Sequence, residues 1–347
     1  MPIFRYTGLL VVVLGLAVLG YAGAPGGAAS KSQQGLYFVR VPQDFPTIQA
    51  AVDAVAEGGT VLIGPGTYQE NIRINKSIRL VGSYQGSVRI QPKEDTTSLQ
   101  LPPEIRAIDI QGRQVYLENF TVEHSLPNVA TGIYLAAYQA IVHQVTISGF
   151  VSRGLFIAGG DTLLARITIR NSGIGVEDWA FGGTLSIFES VFHDNGDAIK
   201  SIGSERLRVQ QSMFIRNSSA AVVIAQLPPT GGKQIELLAN AITGNSVGLY
   251  IASLQSRGKE PNEPEPVPYL INMRDNEIIS NTEYGIALGG SGCLDDLEES
   301  LMLYPFSLAD NIQKPQIVFW EENNKIHNNL KADLCPADYP WPPGFRK

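Results

Sequence analysis

The chain is poor in the side chains that bind soft metal ions. Its 347 residues include only two cysteines, four methionines and four histidines, and the histidines are scattered along the chain at His124, His143, His193 and His327. Proteins that carry copper or zinc use clusters of these side chains. The composition therefore argues against a soft-metal carrier, and we predict no cofactor.

A surplus of positive charge is also missing. Lysine and arginine number 26 against 33 aspartates and glutamates, which gives a formal net charge of −7. Nucleic acids and anionic membrane surfaces attract proteins of the opposite charge. We therefore predict neither as a partner, and we take a monomer as the default oligomeric state.

Long apolar runs are confined to the N-terminus. Arg5 precedes an apolar run from Leu9 to Leu19, and small residues continue to Ser30. The run is too short to span a bilayer and has the layout of a secretory signal peptide. We assign residues 1–29 to this peptide and predict an exported protein, periplasmic or extracellular, with no stable membrane span after cleavage.

Export also bears on the two cysteines. Oxidising compartments allow disulfides, so a bond between Cys293 and Cys335 is predicted, with two separate thiols as the alternative. Such a bond would join the C-terminal segment to the last regular part of the chain and contribute about 4 kcal/mol on the chain-entropy account.

One short phrase recurs through the middle of the chain: an asparagine, a glycine or alanine three or four residues later, and then an apolar residue. A short alternating run typical of a strand precedes it by ten residues. The shorter intervals between these asparagines are 22 to 24 residues, a period that indicates a β-solenoid with three strands per turn. Equivalent residues stack in such a fold, so the asparagines should form a side-chain ladder: Asn171, Asn195, Asn217, Asn245 and Asn281.

A short helix is predicted before the first coil. Asp44 to Thr47 provide a helix start, and Gly58-Gly59 an end. Between them, apolar residues recur at helical spacing at Ile48, Ala51, Val52 and Val55. An open solenoid has a bare apolar end, so this helix is expected to cover it.

Several passages resemble a known group of proteins. Residues 45–54, 59–70 and 74–82 resemble the opening of pectin methylesterases and of other pectin-lyase-like right-handed β-helices. Residues 240–245 and 276–281 are similar to the carbohydrate-binding and sugar-hydrolase repeats of NosD-like periplasmic proteins. The resemblance implies a right-handed winding and a role on polysaccharide.

The repeat and the resemblance together predict an all-β fold. We expect a single-stranded right-handed parallel β-helix over residues 44–330, with the short N-terminal capping helix at its start. Residues 30–43 would form a linker that runs into the first strand, and residues 331–347 a proline-rich tail that covers the far end without adding a coil. Insertions at 226–233, 256–266 and 289–315 follow the same strand of their coils and would line one edge, often the binding side of a repeat protein.

Alternation along the strand after the Gly/Ala position selects one outward-facing residue per coil. These residues would form a solvent-exposed strip of aromatic, charged and apolar side chains: Tyr134, Phe156, Glu177, Lys200, Val223, Tyr250 and Ala287.

The resemblance to pectin methylesterases can be followed along this strip. Residues 176–182 resemble the family's V-D-F-I-F-G phrase, which would put Glu177 or Asp178 at the nucleophile position. Phe156 stands where the second catalytic aspartate belongs and Tyr134 where the glutamine belongs, and no G-R-P-W phrase supplies the arginine. The implied catalytic set is incomplete.

A calcium site is the other chemistry that the sequence offers. Pectate lyases use an aspartate cluster that binds Ca²⁺ and an arginine base. Five carboxylates fall within two coils and are the candidate ligands, with ordinary surface carboxylates as the alternative: Glu177, Asp178, Glu189, Asp194 and Asp197.

Three functions remain open. The first is binding of a polysaccharide or cell-surface glycan, with sugar rings stacked on exposed aromatic side chains: Tyr134, Phe156, Trp179, Phe181 and Tyr250. The second is a polysaccharide-active enzyme in which Glu177 and Asp178 act as acid, base or nucleophile and Lys200 tunes them, with a plain Glu177–Lys200 ion pair as the alternative. The third is a cell-surface scaffold or adhesin.

Overall fold

The computed structural model describes residues 35–84, 86–93, 105–124, 130–226, 232–256, 267–294, 309–313 and 315–346. The proposed signal peptide at 1–29 and most of the three insertions lie outside these residues. Within them, the chain winds into successive coils, and each regular coil contributes one short strand to each of three parallel sheets.

The strands are numbered in chain order, and the three sheets are called A, B and C. Sheet A contains β1 (Leu36–Val41), β2 (Val55–Ile63), β5 (Ile78–Gly82), β8 (Gln114–Glu118), β11 (Gln139–His143), β14 (Asp161–Ala165), β17 (Thr184–Phe188), β20 (Arg206–Gln210), β23 (Gln234–Leu238), β26 (Tyr269–Arg274) and β30 (Ile317–Glu322). Sheet B contains β3 (Gly66–Gln69), β6 (Val88–Gln91), β9 (Thr121–Glu123), β12 (Thr146–Ser148), β15 (Thr168–Arg170), β18 (Val191–His193), β21 (Met213–Ile215), β24 (Ala241–Thr243), β27 (Glu277–Ile279) and β31 (Lys325–His327). Sheet C contains β4 (Ile72–Ile74), β7 (Ile105–Ile110), β10 (Ala130–Leu135), β13 (Arg153–Ile157), β16 (Ile174–Asp178), β19 (Asp197–Ser201), β22 (Ala220–Gln226), β25 (Val247–Ser256), β28 (Tyr284–Leu288) and β32 (Ala332–Cys335), and β29 (Ala309–Gln313) pairs antiparallel with β25.

The parallel β-helix predicted from the repeat is confirmed. Residues one coil apart pair directly, as Val176 does with Ile199, and Ile199 with Val222. Because neighbouring strands lie about 4.8 Å apart, each coil adds one rung of that height. Side chains that are separated by two dozen residues in sequence therefore stand in vertical columns.

Alternation places one column of each strand inside the helix. The inward side chains are mostly valine, leucine and isoleucine, with phenylalanines such as Phe192 and Phe214, whose rings stack 5.1 Å apart. These residues form one continuous apolar core along the solenoid. β-Branched and aromatic side chains favour strands and fill the half-buried surface of a sheet, which accounts for both the strands and the core.

The predicted helix is present as α1 (Ile48–Ala54). The Thr47 hydroxyl accepts a hydrogen bond from the Ala50 amide, and the amides of Ile48 and Gln49 donate to the carboxylate of Glu70 at 2.9 Å each. These contacts satisfy the free amides of the first turn. The helix ends before Gly58-Gly59, because Val55 is already extended and begins β2.

The turns before and after sheet B share one design. Each contains a residue with a positive φ, such as Asp194 (58°) or Ala239 (55°), followed by a residue that points inward. The left-handed residue lets the chain turn sharply without a longer loop. The inward residues of successive turns then stack on one another.

The turn after sheet B carries the asparagine ladder. The side-chain oxygen of Asn217 accepts from the backbone and side-chain amides of Asn195 at 3.1 and 3.0 Å, and Asn245 does the same for Asn217. The ladder continues through Asn281 to Asn329, where Asp333 accepts the last pair of bonds. These amides are buried, so each bond satisfies a group that water cannot reach.

The prediction for Asn171 was wrong. Ser172 occupies the ladder position in that coil, and its amide donates to the Asn195 side-chain oxygen at 3.1 Å. Asn171 is exposed and takes the left-handed position of the turn, with a φ of 52°. Asparagine can occupy both the ladder position and the left-handed position of this turn. It adopts the left-handed backbone conformation more readily than most residues because its short polar side chain can form local hydrogen bonds.

A second ladder, which the sequence analysis missed, runs through the turn before sheet B. The Asn240 side chain donates to Asn276 at 2.9 Å, and Asn276 donates to Asn324 at 2.8 Å, while Ser212 joins below through its backbone amide. Each of these asparagines lies five residues before a member of the first ladder. The signal was therefore the N-x-I-x-x-N phrase itself.

The C-terminal tail both extends and covers the helix. We expected no further coil from residues 331–347, but β32 adds a strand to sheet C beside β28. Beyond it, Trp341 and Phe345 are buried and pack around Phe319 of the last strand of sheet A. These aromatic rings shield the apolar end of the solenoid from water.

A disulfide holds this tail to an earlier coil. Cys293 and Cys335 are bonded, with their Cα atoms 6.1 Å apart and a sequence separation of 42. Both cysteines pack in an apolar cluster on the outer face of sheet C.

In the described part of the chain, no helix is both long and apolar enough to cross a bilayer.

The ladder makes a stability prediction. Replacing Asn245 by alanine leaves the amides of Asn217 and the carbonyl of Phe214 without their partners inside the helix. Buried polar groups left unsatisfied cost about 1–3 kcal/mol each, so we expect a loss of about 3 kcal/mol in the free energy of unfolding, measured by urea titration. Asn272→Ala, on the outer face of β26, is the matched control and should change this value by less than about 0.5 kcal/mol. Equal losses for both variants would show that the ladder does not stabilise the helix.

Candidate functional site

The predicted strip lies on the outer face of sheet C, and its residues are in register. Tyr134 pairs with Phe156, Phe156 with Glu177, and Glu177 with Lys200. The same column continues through Val223, Tyr250 and Ala287. The strand spacing predicted from the sequence therefore brings these side chains together.

Most of the strip is not open to solvent, which corrects the prediction. Glu177, Val223, Tyr250 and Ala287 are fully buried, and Lys200 is 3% exposed. A second apolar cluster, which includes Ile202, Cys293 and Tyr250, covers this part of the face. Alternation in a strand shows which side a residue faces, but segments outside the repeat decide whether water reaches it. Tyr250 is therefore unavailable for stacking on a sugar.

Glu177 is held by two neighbours. Its carboxylate pairs with the Arg153 guanidinium and accepts a hydrogen bond from the indole nitrogen of Trp179 at 3.0 Å. Lys200 lies beside it in the register, and the Lys200 ammonium is 3.3 Å from a carboxylate oxygen of Asp197. The charged groups on this part of the face thus have opposite charges close by. A fully buried carboxylate in such surroundings has no open path to a substrate.

Asp178 faces the interior of the helix, away from Glu177 and Lys200. Its strand position aligns with Ile157 in the coil before and with Ser201 in the coil after. The carboxylate accepts hydrogen bonds from the hydroxyls of Ser201 (2.6 Å) and Ser204 (2.8 Å) and from the amides of Ala180 (3.0 Å) and Ser204 (3.3 Å). These four bonds fix the corner that follows β16. The three predicted catalytic residues therefore share no cleft.

Tyr134 and Phe156 are half-buried, and their ring faces are occupied. The Arg106 guanidinium lies 3.5 Å from the centre of the Tyr134 ring, and Tyr134 stacks on Phe156 at 5.4 Å. The Arg153 guanidinium lies 5.1 Å from the centre of the Phe156 ring. This alternation of cations and rings is favourable in itself. It leaves ring edges rather than faces toward solvent, so neither ring can stack on a sugar in this arrangement.

Trp179 and Phe181 are placed differently, at the corner between sheets C and A. Phe181 is 50% exposed, Trp179 is half-buried, and the two rings meet edge to face at 6.1 Å. The corner is rigid, because the Phe181 amide donates to Trp179, the Gly183 amide donates to Ala180, and Asp178 holds Ala180 from inside. Of the five predicted aromatic residues, these two present ring surface to solvent at a fixed position.

The same corner carries an exposed aromatic residue that the sequence analysis missed. Tyr138 is 69% exposed, two coils below Phe181. In the coil between them the corner is formed by Ala158, Gly159 and Gly160. A Cβ on Gly159 would have open space around it, and Gly160 has a φ of +69° and lies against the Tyr138 carbonyl. The exposed rings of Tyr138 and Phe181 therefore lie one coil below and one coil above a corner that carries no large side chain. We call this group the corner notch: Tyr138, Gly159, Gly160, Trp179 and Phe181.

Polar side chains line the sheet A side of the corner notch. Gln114, Gln139 and Asp161 occupy the first positions of successive strands and are exposed. The Gln114 amide donates to the Gln139 side chain at 2.9 Å, and Asp161 accepts from the Thr184 amide at 2.9 Å. Amide and carboxylate groups of this kind can exchange hydrogen bonds with sugar hydroxyls.

The five carboxylates considered as calcium ligands are spread over different parts of the coil. Glu177 and Asp197 lie on the outer face of sheet C, whereas Asp178 points inward. Glu189 and Asp194 occupy left-handed turn positions on either side of sheet B and pair with Arg166 and Arg216 respectively. The described residues contain no group of three or more His, Cys, Asp or Glu side chains suited to a metal ion.

A buried lysine that the sequence analysis did not single out lies near Asp178. The Lys233 ammonium donates to the Ser201 carbonyl at 3.1 Å, and the side chain is 1% exposed. Burial lowers the pKa of Lys233 to about 8, while the Asp178 carboxylate opposes the shift by favouring the charged form. This lysine lies in the C–A corner two coils above that of Asp178 and contacts the coil between them through Ser201.

Comparison with known proteins agrees with this architecture. Residues 106–259 match the protein family described as "Right handed beta helix region", which confirms the predicted handedness. ORF18 of Geobacillus virus E2 has a similar structure, with a TM-score of 0.55 and 15% identity, over 74% of this chain and 55% of that one. The pectin methylesterase of Aspergillus niger gives a TM-score of 0.43 at 15% identity, over 90% of this chain and 88% of that one. Likeness at such identities concerns the fold and not the activity.

A sequence relative is also found among surface proteins. A cell surface glycoprotein of Methanothermus fervidus is 26% identical over 157 residues, which make up 45% of this chain and 22% of that protein. The chain thus spans about a fifth of the length of this relative.

The buried lysine makes a pH prediction. The pKa of Lys233 is about 8 in the folded protein and 10.5 ordinarily, so between these values the unfolded chain binds more protons and stability rises with pH. We expect the free energy of unfolding of the wild type, minus that of Lys233→Met, to rise by about 3 kcal/mol between pH 8 and 10.5. The difference cancels other groups such as Tyr269, whose pKa is raised by burial. A difference that stays constant with pH would contradict the lowered pKa.

Proposed function

We propose that this protein is an exported, surface-located β-helix that binds glycans at the corner notch, without catalysing a reaction on them. The observation that carries the proposal is the presence of two exposed aromatic residues, Tyr138 and Phe181, in the coils below and above a corner made of the small residues Ala158, Gly159 and Gly160. An empty corner between two aromatic side chains is a shape suited to a ring-shaped ligand.

The spacing of the coils fits a sugar ring. The coils of Tyr138 and Phe181 are two rungs apart, or about 10 Å. A pyranose held between two rings needs carbon contacts of about 3.5–4.0 Å on each side. The notch therefore has height for one ring, and Trp179 at its upper edge offers further apolar surface.

The charge of the notch favours neutral sugars. Among its exposed polar neighbours, Gln139 and Asp161 follow Tyr138 and Gly160 directly, while Arg113 and Gln114 lie one coil below Tyr138. The arginines of the adjoining sheet C face, Arg106 and Arg153, are each engaged by a carboxylate. A uronate polymer would meet Asp161 first and be repelled, whereas hydroxyls of a neutral hexose can both donate and accept there.

The burial of the candidate catalytic residues supports binding without catalysis. An acid, base or nucleophile must lie within hydrogen-bond reach of its substrate. Glu177, Asp178 and Lys200 are buried, and the first two are engaged in internal contacts that hold the corner in place. The role of Glu177 and Asp178 in this proposal is to position Trp179 and Phe181.

The proposed location rests on two observations. The N-terminal apolar run has the layout of a signal peptide, and the sequence relative in Methanothermus fervidus is a cell surface glycoprotein. The same relative favours a second role, in which the β-helix is a rigid spacer or scaffold within the cell surface. Glycan binding and a scaffold role are compatible, because the notch occupies one corner of the solenoid.

Glycan binding can be tested on the full chain. We would screen it on an array of neutral and acidic oligosaccharides and measure the affinity of any neutral hit by calorimetry. Phe181→Ala and Tyr138→Ala should each weaken binding about tenfold, because an aromatic contact contributes about 1.4 kcal/mol. Gly159→Phe should abolish binding by filling the notch.

Tyr84→Ala is the matched control, since Tyr84 is equally exposed but lies between β5 and β6, at the A–B corner. It should leave the affinity unchanged. Binding that survives Gly159→Phe and both alanine variants would place the glycan site elsewhere. If the wild type binds none of the neutral sugars, the glycan-binding proposal is wrong and the scaffold role remains.

A further inference from the structure

Three asparagines stand in the sequence pattern that receives N-linked glycans. They are Asn75 in Asn-Lys-Ser, Asn119 in Asn-Phe-Thr and Asn217 in Asn-Ser-Ser. The pattern N-x-S/T, without proline in the middle, marks an acceptor only where the asparagine lies at an accessible surface of an exported protein. The fold distinguishes sharply among the three.

Asn217 is closed to modification in the folded protein. It is fully buried, and its side-chain nitrogen donates to the Phe192 carbonyl at 3.2 Å and to Asn245 at 2.8 Å. A sugar on this nitrogen would break the asparagine ladder and would have no room inside the helix.

Asn119 is unsuitable for a related reason. It occupies a left-handed turn position with a φ of 62°, and the side chain is half-buried. Its side-chain oxygen is enclosed and has no hydrogen-bond partner. The carboxamide is therefore partly enclosed by the protein and is a poorer acceptor than a side chain that is fully exposed.

Asn75 has the opposite surroundings. It lies in the tight turn between β4 and β5, and its side chain is exposed. In the described part of the chain no hydrogen bond engages this side chain, so its nitrogen is open to an incoming group. Ser77, the third residue of the pattern, is itself fixed, with its amide donating to Glu57 at 3.0 Å and its hydroxyl accepting from the Gln114 amide at 3.3 Å.

We propose that Asn75 is an N-glycosylation site, and that it is the acceptor among these three asparagines. In the reaction the side-chain nitrogen of Asn75 bonds to the anomeric carbon of a lipid-phosphate-linked oligosaccharide. The anomeric carbon–oxygen bond to the phosphate breaks, one amide proton is released, and the lipid phosphate leaves. The product is a neutral amide-linked glycan on a surface turn.

Asn75 lies at the same corner of the helix as the corner notch. The turn of Asn75 belongs to the C–A corner, because backbone hydrogen bonds connect it to the C–A turns of the following coils. The Gln111 amide donates to the Ile74 carbonyl, the Ala136 amide to Ile110 and the Ala158 amide to Leu135. Asn75 therefore lies three rungs, or about 14 Å, below the coil of the corner notch glycines. An attached oligosaccharide would shield the N-terminal end of that corner.

The site can be tested by exporting the full chain from a host whose secretory pathway transfers glycans to N-x-S/T. One arm keeps the chain's own N-terminal segment, and a second arm adds a host signal peptide in front of it, so that weak export is distinguished from a poor acceptor. Intact mass and glycopeptide sequencing of the exported protein should show one glycan, located on Asn75. Asn75→Gln should reduce the mass to that of the bare polypeptide.

Thr121→Ala and Ser219→Ala are the matched controls, since each removes one of the other two patterns and keeps its asparagine. Both should retain the full glycan mass. Exported protein without a glycan, a glycan that persists in Asn75→Gln, or one located on Asn119 or Asn217 would overturn the proposal. None of these outcomes depends on whether the corner notch binds a sugar.

Discussion

The stacking of one coil on the next, rung by rung at about 4.8 Å, is the constraint on which the rest of this structure depends. It requires every inward position to hold a side chain that packs against its own equivalent above and below. Aliphatic residues meet that requirement in the sheets, and asparagines such as Asn217 and Asn245 meet it in the turns, where polar backbone must also be satisfied. The two ladders therefore reinforce the register of the coils that they span, from Ser172 to Asp333.

The outer face of sheet C shows how the same register can be used in two ways. Toward the N-terminal end, Tyr134 and Phe156 alternate with arginines in a stack that is only half-buried. Toward the C-terminal end, Val223 and Tyr250 are covered by an apolar cluster that the Cys293–Cys335 disulfide joins to the tail. The polar and charged residues between these regions stabilise the transition and hold the adjoining corner. Residues that resemble an active site in sequence thus hold the corner that carries Trp179 and Phe181 in place.

The corner between sheets C and A carries both of the surface features proposed here as functional. Tyr138 and Phe181 flank a gap made by glycines, and Asn75 occupies the same corner three rungs below. Corners of a solenoid tolerate such variation, because the strands on either side keep the core intact. A protein of this design can present a recognition site on a rigid β-helix.

The sequence by itself determined the fold, because a period of about two dozen residues with alternating strands is compatible with few architectures other than stacked coils. It also determined which residues are neighbours, as the pairing of Glu177 with Lys200 shows. It could not separate Asn171 from the ladder, since asparagine suits both positions of the turn, and it could not tell that Tyr250 is buried. Only the tertiary structure decided those points, because exposure depends on segments far away in the chain, whereas register depends on the local repeat.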